Sequence, residues 1–65
     1  MNRPTRHIEE ISAKYGVPIA WAPESDLVLN ICTNSMVKFH LIAAEMSWDR
    51  DLADATMVMV KEEAA

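Results

Sequence analysis

The stretch from Ser35 to Glu62 constrains the fold most, because it holds most of the large apolar side chains of a 65-residue chain and no glycine or proline. One apolar set recurs there in steps of 4, 3, 4, 4, 3 and 4 residues, close to the helical repeat. This regular set comprises Val37, Leu41, Ala44, Trp48, Leu52, Ala55 and Met59. The spacing predicts one continuous helix, roughly 45 Å long if about thirty residues are helical.

A second apolar set lies on another side of the same predicted helix. This interrupted set comprises Phe39, Ile42, Met46, Ala53, Met57 and Val60. A helix that is apolar on two sides must be covered on both, and so short a chain has little material left to cover the second side. We therefore expect the interrupted set to meet its equivalent in a second copy, as a two-fold homodimer.

Two features leave alternatives to the continuous helix open. Ser47 can cap a new helix beginning at Trp48, with Asp49 and Asp51 favouring its N-terminus, which predicts a break at residues 47–49. The segment from Ala55 to Lys61 is rich in valine, threonine and methionine, and could instead form a strand. The continuous helix remains the preferred interpretation.

The first part of the chain carries the signals of a short helix. Residues 1–4 are expected to be a loose end, and Thr5 can cap a helix that runs from Arg6 to Tyr15. Gly16 stands where a left-handed C-terminal cap belongs, and Pro18 soon afterwards prevents the helix from continuing.

Two alternating runs follow and predict a β-hairpin. Val17 to Ala22 reads as a short strand, Pro23 to Asp26 as a turn, and Leu27 to Thr33 as a second strand. The polar residues before the long helix can cap it. The sequence thus predicts a single α+β domain over residues 1–65, in the order α-β-β-α, with the hairpin packed against the C-terminal helix.

The length of the chain and its single cysteine indicate the cellular compartment and the ways in which the fold can be stabilised. The single cysteine, Cys32, excludes an internal disulfide, and the first residues contain no apolar signal segment, so we expect a cytoplasmic protein. The longest apolar runs are far too short to span a membrane. A core of this size rarely supplies more than roughly 3–5 kcal/mol, which again favours association with a partner.

The charge is acidic and unevenly distributed. The formal net charge is −4, and residues 24–65 carry eight acidic side chains against three basic ones. This balance disfavours binding to nucleic acid, whose phosphates are neutralised by lysine and arginine. It is compatible with binding to a basic surface of another protein.

No constellation of residues predicts catalysis, a cofactor or a metal. His7, His40 and Cys32 match no zinc spacing, and a Cys32–His40 nucleophile and base would lack an oxyanion hole. With one glycine, the chain cannot build a phosphate-cradling loop. The aspartates between residues 49 and 54 lack the glycine and the final glutamate of a calcium loop. We therefore expect a protein that is not an enzyme.

The residues expected to bind a partner surround the middle and the end of the predicted helix. They are Trp48, Asp49, Asp51, Asp54, Leu52 and Met59. A large aromatic side chain ringed by polar groups is typical of an energetically dominant interface contact. The alternative places Trp48 in the core, against Trp21 and Ile31.

These observations favour a small acidic, non-catalytic interaction module that regulates or inhibits a larger protein, with a basic protein that handles nucleic acid as the expected target. Small acidic inhibitors carried by phages and mobile elements act in this way. The comparison is with that class of protein and does not depend on particular residues. The alternative is a DNA-binding regulatory dimer that uses the basic arm of Arg3, Arg6 and His7. The segment IEEISAKYGVPIAW resembles the first helix and turn of a helix-turn-helix, but strands are predicted where its recognition helix should follow.

Overall fold

The structure is a computed structural model that describes residues 5–62. Its elements, in chain order, are α1 (Thr5–Tyr15), β1 (Ile19–Trp21), β2 (Val28–Cys32), α2 (Met36–Ser47) and β3 (Thr56–Val60). The predicted α+β class is confirmed, but the expected order α-β-β-α continues with a third strand. The loose end predicted for residues 1–4 lies outside the described residues.

The predicted C-terminal signals of the first helix are confirmed, whereas the helix begins at Thr5, one residue before the predicted start at Arg6. Helix α1 ends at Tyr15, and Gly16 follows it in the left-handed region with φ of 64°. The amide of Val17 donates to the carbonyl of Ser12 over 3.1 Å, and the hydroxyl of Ser12 donates to the carbonyl of Val17 over 2.6 Å. The glycine therefore reverses the chain at no steric cost and directs it into β1.

The predicted hairpin is also confirmed. Strands β1 and β2 pair antiparallel, with Ile19 opposite Ile31 and Trp21 opposite Leu29. The amide of Ser25 donates to the carbonyl of Ala22 over 3.1 Å, which places the intervening proline at the second position of a β-turn. Proline suits that position because its ring already holds the required φ.

The continuous C-terminal helix is wrong, because α2 ends at Ser47. It begins at a cap in which the Ser35 hydroxyl accepts from the amide of Lys38 over 3.2 Å. Beyond it, a series of turns replaces helical bonding: the amide of Leu52 donates to the carbonyl of Asp49 over 3.0 Å, and that of Ala55 to Leu52 over 3.1 Å. The predicted break at residues 47–49 thus coincides with the end of the helix, but no new helix starts there.

Strand β3 lies parallel to β2, in a register that places Thr56 beside Val28 and Val60 beside Cys32. The alternative of a C-terminal strand is therefore confirmed, within Thr56–Val60. Helix α2 returns the chain between the two parallel strands, and its twelve residues, about 18 Å, match a five-residue strand of about 17 Å. The sheet has the order β1-β2-β3, with β2 in its centre.

The core lies between the two helices and one face of this sheet. Its buried apolar side chains are Ile8, Ile11, Val17, Leu29, Ile31, Ile42, Met46 and Leu52. Neither helix in residues 5–62 covers the opposite face of the sheet, which is called here the open face. There Val58 and Val60 are each 38% exposed, and Cys32 is half-buried. Within residues 5–62, neither helix has the length and apolar character needed to cross a membrane.

Candidate partner-binding surface

The regular apolar set of α2 lies on the surface of the protein. The side chains of Val37, Leu41 and Trp48 are 70%, 48% and 80% exposed, and Ala44 between them is also exposed. These four residues follow one another at helical spacing and are called here the outer face of α2. Such a contiguous row of exposed apolar side chains is typical of a surface that another molecule covers.

The members of the interrupted set that lie in α2, in contrast, face the core, whereas Ala53 and Val60 of that set are exposed. Ile42 and Met46 are fully buried, and Phe39 is half-buried against the same cluster. The members of the interrupted set within α2 were expected to meet a second copy, and this expectation is wrong for them, because the protein's own core covers them. The part of the regular set carried by α2 and its C-cap is left exposed, as was expected for Trp48.

Trp48 is the C-cap residue that follows α2, and it stands at the edge of the outer face. Its amide donates to the carbonyl of Glu45 over 3.2 Å, which closes the last turn of the helix. Its indole is 80% exposed, so the alternative placement in the core against Trp21 and Ile31 is wrong. The chain leaves the helix here, and the next apolar residue, Leu52, enters the core instead.

Two of the residues predicted to bind a partner are not on this surface. Leu52 is fully buried, and Met59 is half-buried on the covered side of β3, opposite Ile31. Both were grouped with Trp48 by a helical repeat. That repeat places residues on one face only where the backbone is helical, and the helix ends at Ser47.

The predicted aspartates divide into one that holds the loop and two that face solvent. The carboxylate of Asp49 accepts from the amide of Asp51 over 2.8 Å and also contacts the Nδ1 atom of His7. The hydrogen bond to His7, followed by that from the Asp51 amide, holds the pKa of Asp49 below its usual range. The side chains of Asp51 and Asp54 are exposed.

The tertiary structure adds two acidic residues that sequence reasoning missed. Because β2 and β3 are parallel, the turn before β2 and the loop before β3 lie at the same end of the sheet. The amide of Thr56 donates to the carbonyl of Leu27 over 2.7 Å and joins the two segments. The acidic end defined by this arrangement comprises the exposed side chains of Glu24, Asp26, Asp51 and Asp54. The signal in the sequence was the strand character of Thr56–Val60. A strand there, placed parallel to β2, would have predicted that Glu24 and Asp26 lie at the same end of the sheet as Asp51 and Asp54.

A polar cluster ties α1 to α2. The carboxylate of Glu45 accepts from the Tyr15 hydroxyl and from Nζ of Lys14, the latter over 3.0 Å. These two bonds, with the larger effect from Tyr15, lower the pKa of Glu45. The same carboxylate raises the pKa of Tyr15 and of Lys14. The cluster joins the end of α1 to the helix that carries the outer face.

Within residues 5–62, no three histidine, cysteine, aspartate or glutamate side chains are grouped so that they could hold a metal ion. Cys32 is a free thiol on the open face of the sheet. His40 packs edge-on against Phe39, with ring centroids 5.6 Å apart. The outer face of α2 and the acidic end, in contrast, offer apolar and electrostatic contacts to another molecule.

Comparisons with protein-family models, with curated proteins and with solved structures find no match for this chain. The candidate surface is therefore defined by the exposure and position of the chain's own residues. It consists of the outer face of α2 and the acidic end. The connection from α2 to β3 brings the two together, because Trp48 begins the loop that carries Asp51 and Asp54.

Proposed function

We propose that this protein is a small acidic, non-catalytic interaction module that regulates or inhibits a larger protein by occupying a basic surface on it. The observation that carries the proposal is Trp48, whose indole is 80% exposed at the junction of the outer face of α2 and the acidic end. Large aromatic side chains are costly to leave in water and are enriched among the dominant contacts of interfaces.

The outer face supplies the apolar part of the contact. From Val37 to Trp48 the exposed side chains extend along three turns of helix, about 16 Å. A row of this length matches the apolar anchors that a helix inserts into a groove of its partner. Lys14, Tyr15 and Glu45 hold α2 against α1, so little order has to be gained when the face is covered.

The acidic end determines the charge of the partner. Glu24, Asp26, Asp51 and Asp54 surround one end of the sheet, and Arg50 is the basic side chain among them. The C-terminus of α2 adds the partial negative charge of its free carbonyl groups. A lysine- or arginine-rich surface complements this field, and the attraction accelerates association at low ionic strength. Proteins that handle nucleic acid carry such surfaces, which supports a target of that class.

The second candidate, a DNA-binding dimer, would use Arg3, Arg6 and His7. Arg3 lies outside the described residues, and Arg6 is exposed. His7 already contacts the carboxylate of Asp49, so a phosphate group would have to compete with an internal anion. This contact and the net charge of −4 favour the protein-binding proposal.

The test is affinity capture from a native lysate with the immobilised chain, followed by mass spectrometry and by titration with the purified partner. Trp48→Ala should abolish capture, and the double change Asp51→Asn with Asp54→Asn should weaken it, most strongly at low salt. The matched controls are Val60→Ala on the open sheet face and Glu62→Gln beyond the far end of β3, which should leave binding unchanged.

Two outcomes would contradict the proposal. One is a partner that binds the Trp48→Ala variant and the unmodified chain equally well. The other is a salt-dependent shift with duplex DNA at micromolar chain concentration, which would favour the nucleic-acid candidate. Each variant is first checked for folding by circular dichroism, so that lost binding is not mistaken for lost structure.

A further inference from the structure

The two edges of the sheet differ in how they are protected against pairing with another strand. Edge strand β1 has three residues and is bracketed by Pro18 and Pro23, which limit further pairing. Edge strand β3 has five residues, Thr56–Val60, without a charge, a proline or a glycine. Natural proteins protect sheet edges with charged side chains and prolines. An edge strand that contains neither is suited to pair with a further strand.

The hydrogen bonds to β2 fix which backbone groups of β3 remain at the edge. The amide of Thr56 donates to the Leu27 carbonyl over 2.7 Å, and the Val60 carbonyl accepts from the Thr33 amide over 2.9 Å. In a parallel ladder, alternate residues direct both their N–H and C=O groups to the same neighbour. The backbone groups of Met57 and Met59 therefore point away from β2, toward the side of β3 on which no strand of residues 5–62 lies.

We propose that a second copy of this chain pairs antiparallel with β3 along this edge, about a two-fold axis at Val58. The axis places Met57 opposite Met59 of the second copy, and each of these symmetry-related pairs exchanges both N–H···O bonds. Val58 then faces its own equivalent across the axis, at a separation of roughly 4.5 Å between the two Cα atoms. The two three-stranded sheets become one continuous sheet.

The second copy suits this edge better than an unrelated strand because the segment complements itself. Two chains of net charge −4 repel, and Thr56–Val60 is an uncharged segment through which they can approach. The antiparallel register also brings Lys61 of one copy opposite Ala55 of the other, next to Asp54, so a cation and an anion meet at each end of the seam. Val58 and Val60, each 38% exposed on the open face, lose water contact at the seam.

The pairing uses none of the side chains of the outer face of α2, so it is independent of the proposed function. The first measurement is sedimentation equilibrium of the full chain at micromolar concentration. We expect twice the 7.3 kDa mass of the chain. A folded monomer at that concentration would overturn the proposal.

The second measurement identifies the surface. The chain is short enough for chemical synthesis, so the backbone amide of Met59 can be N-methylated while its side chain is kept. This change removes an outward donor and should raise the dimer dissociation constant at least about tenfold. N-methylation of Ile19, whose amide faces away from β2 on β1, is the matched control and should leave the dimer intact. A dimer unaffected by methylation of Met59 would place the contact elsewhere, for example on α2, and contradict the proposal.

Hydrogen exchange on the unmodified chain keeps the proposal testable if the methylated chain fails to fold. In a monomer, the amides of Val58 and Val60 are protected by β2, and those of Met57 and Met59 exchange rapidly. In the proposed dimer all four are protected, and protection of Met57 and Met59 falls on dilution. Protection that appears only when another protein is added would assign the edge to a foreign strand and overturn the pairing with a second copy.

Discussion

The Nδ1 atom of His7, in the first half of α1, contacts the carboxylate of Asp49, which lies 42 residues further along the chain. Asp49 directly follows Trp48, so this contact holds the start of the loop between α2 and β3 against the first helix. The same carboxylate caps that loop by accepting from the amide of Asp51 over 2.8 Å. One side chain thereby ties the exposed tryptophan to the packed part of the protein.

Replacement of Asp49 by asparagine separates these two functions. Asp49→Asn keeps an oxygen for the Asp51 amide but removes the charge and one acceptor from His7, so we expect a lower Tm and weaker partner binding. The measurement is thermal unfolding by circular dichroism at neutral pH. Asp51→Asn, at an exposed neighbour, is the control and should leave Tm unchanged. Equal Tm values for the two variants would show that the His7 contact does not stabilise the fold.

Stability should decrease in acid. Folding lowers the pKa of Glu45 from its ordinary 4.5 and that of Asp49 from 3.8, so each carboxyl stabilises the folded chain above its ordinary pKa. The contribution is lost as the pH falls through the lowered values, because protonation then favours the unfolded chain. Urea midpoints measured from about pH 6 to about pH 2 should fall steadily below about pH 4.5. Glu45→Gln should flatten that dependence, and an unchanged slope would contradict the assigned cause.

Leu52 and Trp48 should respond in opposite ways to truncation. Leu52 is fully buried, so Leu52→Ala should cost roughly 2–5 kcal/mol, comparable with the whole stability of so small a domain. Trp48→Ala should change the free energy of unfolding by no more than about 0.5 kcal/mol, because the indole is exposed. Urea denaturation compares the two. An unfolded Trp48→Ala variant would indicate instead that Trp48 packs in the core.

The effect of substitutions at Gly16 on stability should depend only on the backbone conformation that this residue requires. A Cβ atom placed there meets nothing within 4 Å, but φ is +64°, where side chains of L-residues are strained. Gly16→Ala should therefore cost roughly 1–2 kcal/mol. Gly16→Asn is the control, because asparagine tolerates this region better and should cost less. Denaturation midpoints of both variants measure the difference, and equal losses would point to a cause other than φ.

Cys32 should be dispensable for folding and for partner binding. Its thiol is half-buried on the open face of the sheet, where a hydroxyl of similar size can remain in contact with water. Cys32→Ser should keep Tm within a few degrees and should capture the same partner. Abolished capture at unchanged Tm would assign the thiol a direct role in binding.

Short-range signals predicted the first half of the fold. Helix α1 with its glycine cap, the hairpin of β1 and β2, and the Ser35 cap of α2 all follow from preferences that act over a few residues. The candidate surface was predicted only in part. Trp48, Asp51 and Asp54 are exposed as expected, and Leu52 is not, because its assignment depended on a helix that ends five residues earlier.

The sequence by itself determined that two apolar sets follow Ser35 and that the chain carries too little other material to cover both. Only the tertiary structure decided which set is covered. Strand β3 gains a full ladder of hydrogen bonds and buried contacts beside the central strand β2, and these favour an extended backbone over helix in Thr56–Val60. Once β3 lies parallel to β2, α2 must cross one face of the sheet with Ile42 and Met46 inward, and its other side, with Trp48, remains in solvent. Local periodicity cannot distinguish the two sides of α2, because both are apolar. Which side is buried depends on the pairing of β3 with β2, whose paired residues are 28 positions apart.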